Sequence, residues 1–192
     1  SLLGKDAAPY QEKANTLKSL INQKFFNAET GVYAEGTQTA QALALYLGLV
    51  PEGKEQLVAD KLREVVAGNN SFLDFGLLGS KTVPAMLTKY GYIEDAMKMI
   101  TKTEAPSWGY WVEKIGYSTL PETWTLSPKF ADASLNHVFM GDVSAWMMNQ
   151  LAGINHDDSA PGFRHIRITP HFVKELDWAK GCLLYTSDAG DE

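Results

Sequence analysis

Apolar residues return at a helical period in six successive stretches of this chain, and four of those stretches stop at a glycine: Gly48, Gly68, Gly91 or Gly153. Punctuation of this kind confines a chain to helices joined by turns, because glycine just past a helix end takes the left-handed conformation without a steric cost. Residues 9–25 bring Ala14, Leu17, Leu20, Ile21 and Phe25 to helical spacing behind Pro9 in the opening turn. Residues 37–47 are apolar nearly all round and stop at Gly48, with Pro51 just beyond, so this helix is expected to be buried on several sides. Residues 53–67, with Leu57, Val58, Leu62, Val65 and Val66, are amphipathic and predict a helix on an outer layer. A fourth helix is expected over residues 76–90, with Pro84 in an early turn or at a kink. Ile93, Ala96, Met97 and Ile100 define a fifth. The sixth covers residues 134–151, with Val138, Val143, Trp146, Met147 and Leu151 as its packing stripe. Alternating buried and amphipathic helices predict a mainly α fold of helical hairpins in layers.

Two regions depart from this pattern. Residues 105–132 hold glycines, prolines and several aromatics without a clear period, and read as a loop long enough to be functional. Beyond Gly153 the alternation Ile166-Arg167-Ile168 predicts a strand, and residues 176–185 are expected to supply one or two more. A β edge this small is not stable alone and must pack on the helices or on another chain.

Composition narrows the function classes. A length of 192 residues with 45% hydrophobic content supports a real core. The net charge of -6, without a lysine or arginine cluster, argues against nucleic-acid and anionic-membrane partners. A single cysteine, Cys182, excludes an internal disulfide and a thiolate zinc site. The most apolar stretch, residues 40–50, is far short of the roughly 20 residues that span a bilayer. The compartment is left open.

The segment Pro106-Ser107-Trp108-Gly109-Tyr110-Trp111, with Ser118-Thr119-Leu120-Pro121-Glu122-Thr123-Trp124 after it, sets aromatics beside a carboxylate. A sugar site needs that combination: apolar sugar faces stack on rings, and a carboxylate activates water or stabilises positive charge. The competing reading makes Trp108, Trp111 and Trp124 hydrophobic anchors that pin a loop, with Glu122 capping a turn. His137, near the start of the sixth helix, has the position of a ligand contact or of a capping residue. Asp74, in Leu73-Asp74-Phe75-Gly76, is a carboxylate in an apolar loop, either reactive or an N-cap. Gly76-Leu77-Leu78-Gly79-Ser80-Lys81 looks superficially like a phosphate loop, but its glycine spacing is too short and Lys81 follows the serine. His156, His165 and His171 share no helical face, so neither a metal nor a cofactor is expected.

Several blocks together carry a resemblance: Gly36-Thr37-Gln38-Thr39, the run from Leu43 to Pro51, Leu73-Asp74-Phe75-Gly76, Pro106-Ser107-Trp108-Gly109-Tyr110, Leu120-Pro121-Glu122-Thr123-Trp124, Ser134-Leu135-Asn136-His137, and Pro161-Gly162-Phe163-Arg164-His165. In this order and spacing the chain resembles the catalytic domain of the α-L-rhamnosidases of glycoside hydrolase family 78, over about residues 1 to 181. The resemblance implies an (α/α)6 barrel followed by a β-sandwich, and inverting hydrolysis of terminal α-L-rhamnosyl bonds. Residues 1–154 then correspond to half of the barrel, as about six helices, and 155–181 to the start of the sandwich. Residues 182–192 are expected to be an out-of-family, non-native tail.

By the same resemblance Glu122 matches the general base, and His137, Trp108, Asp74 and Trp124 are substrate-binding, Trp108 as part of an aromatic wall. The tryptophan that often precedes the base in that family is Pro121 here. The family's general acid lies in an upstream Arg-Asp-rich block that has no counterpart in this chain, so little or no activity is expected of it alone. Asp74 or Asp132 is the candidate replacement. The substrate implied is a rhamnoside, and the apolar flanks of a half-barrel imply a homo-oligomer. The alternative is a non-catalytic carbohydrate-binding or assembly module.

Overall fold

The structure is a computed structural model that describes residues 4–124, 133–157, 159–160 and 162–183. Its elements run α1 (Ala8–Phe25), β1 (Phe26–Asn27), β2 (Val32–Tyr33), α2 (Gln38–Tyr46), α3 (Glu55–Gly68), α4 (Leu77–Lys89), α5 (Ile93–Thr101), α6 (Trp108–Tyr110), α7 (Asp142–Trp146), β3 (Ile154–His156) and β4 (Ile166–Ile168). The chain is mainly helical, as its periodicity predicts. α4 is central, packed on α2, α5 and α7, while α2 also packs on α3. Thus α2, α4 and α7 form one layer, with α3 and α5 as a second.

The core lies where these helices meet. Ala42 and Leu45 of α2, Val58 and Leu62 of α3, Val83 and Leu87 of α4, Met99 and Ile100 of α5 and Trp146 of α7 are all buried. α3 keeps its charged side wet while Val58, Ala59, Leu62 and Val66 face inward, as an outer helix should. The indole of Trp146 donates to Thr88 Oγ1 at 2.9 Å, and Thr88 in turn donates to the carbonyl of Pro84 at 2.9 Å. Polar atoms at the α4–α7 contact are thereby satisfied, as burial requires.

Five points of the sequence reading are corrected or filled in by the structure. α1 forms, but none of its residues is buried: Leu17 and Leu20 are about half exposed. It is tied on by polar contacts instead, Asn22 Nδ2 donating to Leu49 O at 2.7 Å and the Tyr33 hydroxyl to Asn22 Oδ1 at 2.6 Å. α4 continues past Pro84, which sits in its interior, so the early-turn alternative does not hold. Residues 105–132 hold a helix: Ser107 caps α6 by accepting the Tyr110 N–H at 2.9 Å, and a π-helical turn, Trp111–Ile115, continues it. Trp108 and Trp111, three apart, share its buried face. The helix expected from residue 134 begins later, with a 3-10 turn, Val138–Gly141, ahead of α7 and a π-helical turn, Met147–Leu151, after it. Val138 and Met147 of the expected stripe are exposed, and Met140 fills the core instead.

The fifth correction concerns the strands. Ile166–Ile168 pairs antiparallel with Ile154–His156, in the register Ile154↔Ile168, Asn155↔Arg167 and His156↔Ile166. No strand occurs over residues 176–183, and the last two residues of that expectation lie outside the described residues. Gly153, at φ +75, feeds this hairpin and lies so close to Pro170 that any Cβ would strike its backbone. No helix among the described residues is long and apolar enough to cross a membrane.

Candidate functional site

The site is built on two loop segments, 119–122 and 134–137, joined by backbone hydrogen bonds. The Glu122 N–H donates to Ser134 O at 2.8 Å, and the His137 N–H donates to Leu120 O at 2.8 Å. The Glu122 carboxylate accepts the Ser134 N–H at 3.2 Å, and the Thr119 hydroxyl donates to Leu135 O at 2.7 Å. These bonds explain why the helix does not start at residue 134: the backbone of residues 134–137 is already engaged with residues 119–122. Glu122 and His137 therefore stand on neighbouring rungs of one bracket, both half-buried.

His137 also caps the 3-10 turn. Its Nδ1 accepts the Phe139 N–H at 3.4 Å, which leaves the proton of the neutral ring on Nε2. The ring stands edge-on to Phe139, with centroids 5.5 Å apart. The capping reading is what the structure shows at this residue.

Beside the bracket lies an aromatic cluster. Trp124 stacks on Trp111 at 4.5 Å between centroids, meets Trp108 edge-on at 5.0 Å and Phe75 edge-on at 6.1 Å. Its indole N–H donates to Phe75 O at 2.5 Å, and the Trp111 indole donates to Trp124 O at 3.3 Å. Trp124 is half-buried and keeps part of its surface outward. Trp108, expected in the aromatic wall, is only 3% exposed. Its indole donates to Met140 O at 3.0 Å, and its ring packs against Trp124.

Asp74 is exposed between two buried neighbours, Leu73 and Phe75. It does not cap α4: that position is Gly76, which has no side-chain capping bond. Asp74 is linked to the Glu122 side through the next residue, because Phe75 accepts the Trp124 indole. Ser80 Oγ joins the two helices at this end, lying 2.7 Å from Leu77 O and 2.9 Å from Phe139 O. Asp132, the other candidate acid, lies outside the described residues. Among the described residues no group of three or more His, Cys, Asp or Glu side chains is placed to hold a metal.

Two residues to which the sequence reading gave no role lie on α2, Gln38 under the segment of Asp74 and Gln41 under that of Gly31 to Tyr33. Gln38 and Gln41, both fully buried on α2, spend their carboxamides on neighbouring backbone. The available signal was a pair of glutamines three apart in a helix otherwise apolar all round, where each must find partners. Next to the bracket runs an apolar groove of about 240 Å³, lined by Leu43, Tyr46, Leu47, Leu78 and Phe139 with Lys81 and Asp142 at its edge.

Comparison with known proteins fits this geometry. Residues 1–151 match the family described as bacterial alpha-L-rhamnosidase 6 hairpin glycosidase domain. The chain is 32% identical over 184 residues to an alpha-L-rhamnosidase of Streptomyces avermitilis, covering 93% of this chain and 18% of that protein. It is 28% identical over 186 residues to one of Alteromonas sp., covering 93% of this chain and 20% of that protein. The chain thus spans about a fifth of the length of these curated relatives. Among solved structures, the Streptomyces avermitilis alpha-L-rhamnosidase complexed with L-rhamnose superposes with a TM-score of 0.80 at 30% identity, over 88% of this chain and 17% of that one. The alpha-L-rhamnosidase from Dictyoglumus thermophilum gives a TM-score of 0.78 at 37% identity, over 88% of this chain and 19% of that one. With a bracketed glutamate and histidine beside a tryptophan cluster, on helical hairpins of this type, the chain belongs to the bacterial alpha-L-rhamnosidase six-hairpin glycosidase family.

Proposed function

We propose that this chain is the base-bearing part of an inverting α-L-rhamnosidase. Glu122 takes the proton of the attacking water, while His137 and Asp74 hydrogen-bond the sugar and Trp124 stacks on its apolar face. Trp108 serves the site indirectly, as the support beneath Trp124. The observation that carries this reading is the bracket itself: Glu122 N–H to Ser134 O and His137 N–H to Leu120 O, which hold a carboxylate and an imidazole on adjacent rungs. A base needs that fixation, since its reach to the water must be held within a hydrogen-bond length.

Inversion requires a second carboxyl roughly 6.5 to 9.5 Å from the first, to protonate the leaving oxygen. That acid comes from another segment of a longer rhamnosidase chain, so the 192 residues alone turn over weakly or not at all. In that arrangement residues 1–154 are part of the barrel, 155–181 open a β-sandwich and 182–192 carry no function. The exposed apolar groove on α2 and α4 drives isolated chains to associate.

The test is titration of L-rhamnose into the isotopically labelled chain, followed at the Trp124 indole and the His137 ring. Both resonances shift with L-rhamnose and stay put with D-glucose. Saturable binding that moves neither would contradict the reading.

A further inference from the structure

The carboxamide of Gln38 does to residues 72–74 what a neighbouring β-strand would do. Its Nε2 donates to Phe72 O at 3.0 Å, and its Oε1 accepts the Asp74 N–H at 3.0 Å. One side chain thus spans the carbonyl of one residue and the amide of the residue two further on. The register of this grip decides which way side chains point, because alternate residues of an extended segment face opposite sides. Leu73 and Phe75 turn into the core and Asp74 turns out. The same segment is held from its other end by the Trp124 indole on Phe75 O. Gln38, the 72–75 segment, Trp124 and Glu122 form one continuous path through the site.

We infer that Gln38 is a positioning residue of the site, setting the Asp74 carboxylate and, through Phe75, the Trp124 ring opposite Glu122. The inference rests on the rhamnoside reading only for the identity of the sugar. A built-in comparison strengthens it. Gln41, one turn further along α2, grips a different segment in the same way, Nε2 to Gly31 O at 2.8 Å and Oε1 from the Tyr33 N–H at 2.6 Å. Both glutamines are fully buried and fully satisfied, yet only the segment under Gln38 carries a site residue. Substituting each in turn separates positioning from ordinary loss of stability.

The experiment compares Gln38→Met and Gln41→Met in the full 192-residue chain, reading the protection factor of the Asp74 amide, the Trp124 indole resonance and the dissociation constant for L-rhamnose. Gln38→Met is expected to cut Asp74 protection at least about tenfold, as local opening does when a bond is lost. It should also move the indole signal and weaken L-rhamnose by about tenfold, the size of one strong hydrogen bond. Gln41→Met should leave all three close to wild type. Gln38→Glu adds an internal rescue. Its protonated carboxyl has the same donor and acceptor as the amide, so Asp74 protection, referred to wild type at each pH, returns as the pH falls. Asp74, the only ionisable side chain of the gripped residues, points to solvent and does not compete for the grip. Unchanged Asp74 protection in Gln38→Met would overturn the inference, and so would equal weakening of L-rhamnose by both methionine variants. A wild-type chain that fails to bind L-rhamnose would remove the rhamnoside reading, while the protection and indole measurements still decide the role of Gln38.

Discussion

The Trp124 indole donates to the Phe75 carbonyl across 49 positions of sequence, and that bond ties the loop bearing Glu122 to the loop bearing Asp74. Trp124 has two jobs in this arrangement. Its ring stacks on Trp111 and its N–H fixes the partner loop. Trp124→Phe separates them, since it keeps a ring and removes the donor, leaving a partly buried carbonyl unpaired. The expected result is a loss of about 1 kcal/mol in chemical denaturation, the usual worth of one such bond, together with weaker L-rhamnose binding. A variant as stable as wild type, with unchanged binding, would show that the loops are not coupled through this bond.

Gly79 controls the same loop from the helix side. It is buried on α4, and an added Cβ would fall on the Phe75 side chain and lie 2.9 Å from Thr39 Oγ1 on α2. Gly79→Ala therefore either displaces Phe75 or spreads α2 from α4. Overpacking of this kind costs typically about 1 to 3 kcal/mol. Calorimetry should show a lower Tm, and the Trp124 resonance should shift because Phe75 has moved. The helix-propensity gain of alanine alone would raise stability, so the sign of the change decides.

Much of this was legible in the sequence. The α2, α3 and α5 periods and the glycine stops at Gly48, Gly91 and Gly153 are found where the apolar spacing puts them, because each such helix buries one continuous face, whereas α3 runs through Gly68 to its C-cap at Asn69. Glu122 and His137 lie on adjoining backbone bonds, and Trp124 is two residues beyond Glu122. What escaped depended on partners distant in sequence. The late start of the last helix follows from residues 134–137 bonding to residues 119–122, which no local period reveals. The burial of Trp108 reflects Met140 and Trp124 folding over it. The helix at Trp108 was signalled only by a serine cap and two tryptophans three apart, too short a run for a periodicity reading. The exposure of α1 cannot be read from its own apolar spacing, since that spacing shows a face without showing what covers it.

A polar clip between α3 and the start of α5 contributes to the pH response. The Tyr92 hydroxyl donates to the Asp60 carboxylate, Gln56 Nε2 donates to it at 2.7 Å, and Arg63 lies over the Tyr92 ring at 4.9 Å. The Tyr92 and Gln56 hydrogen bonds hold Asp60 below its ordinary value of 3.8. The bond to Asp60, then burial, lifts Tyr92 above 10.0. A lowered carboxyl stabilises the fold above its unfolded value and loses that contribution as the pH falls through the folded one. A raised phenol contributes fully below its unfolded value and loses the contribution as the pH rises through the folded one. The clip's contribution to stability should be level between these limits and decline on both sides. Asp60→Asn should make the acid decline shallower, measured by Tm against pH, and an unchanged acid limb would show that the clip does not contribute.

The proposed self-association has a defined surface. Tyr46, Leu47, Leu78 and Phe139, each more than two-fifths exposed, line one groove. Sedimentation of the wild-type chain is expected to show species above 21.2 kDa that grow with concentration. Replacing Leu47 and Leu78 together by glutamate should return it to monomer, because a charge buried in such a contact is costly. A monodisperse wild-type monomer at high concentration would contradict the association.

The central claim is that Glu122 is the base, and a setting that supplies the proposed partner acid tests it most directly. Residues 1–151 are exchanged for the matching segment of the Streptomyces avermitilis alpha-L-rhamnosidase, and hydrolysis of an aryl α-L-rhamnoside is measured with and without Glu122→Gln. Glutamine can still accept the Ser134 N–H, so L-rhamnose binding should survive while kcat falls by about 10²- to 10⁴-fold, as for loss of a positioned base. An active exchange protein whose kcat is untouched by Glu122→Gln would contradict the account.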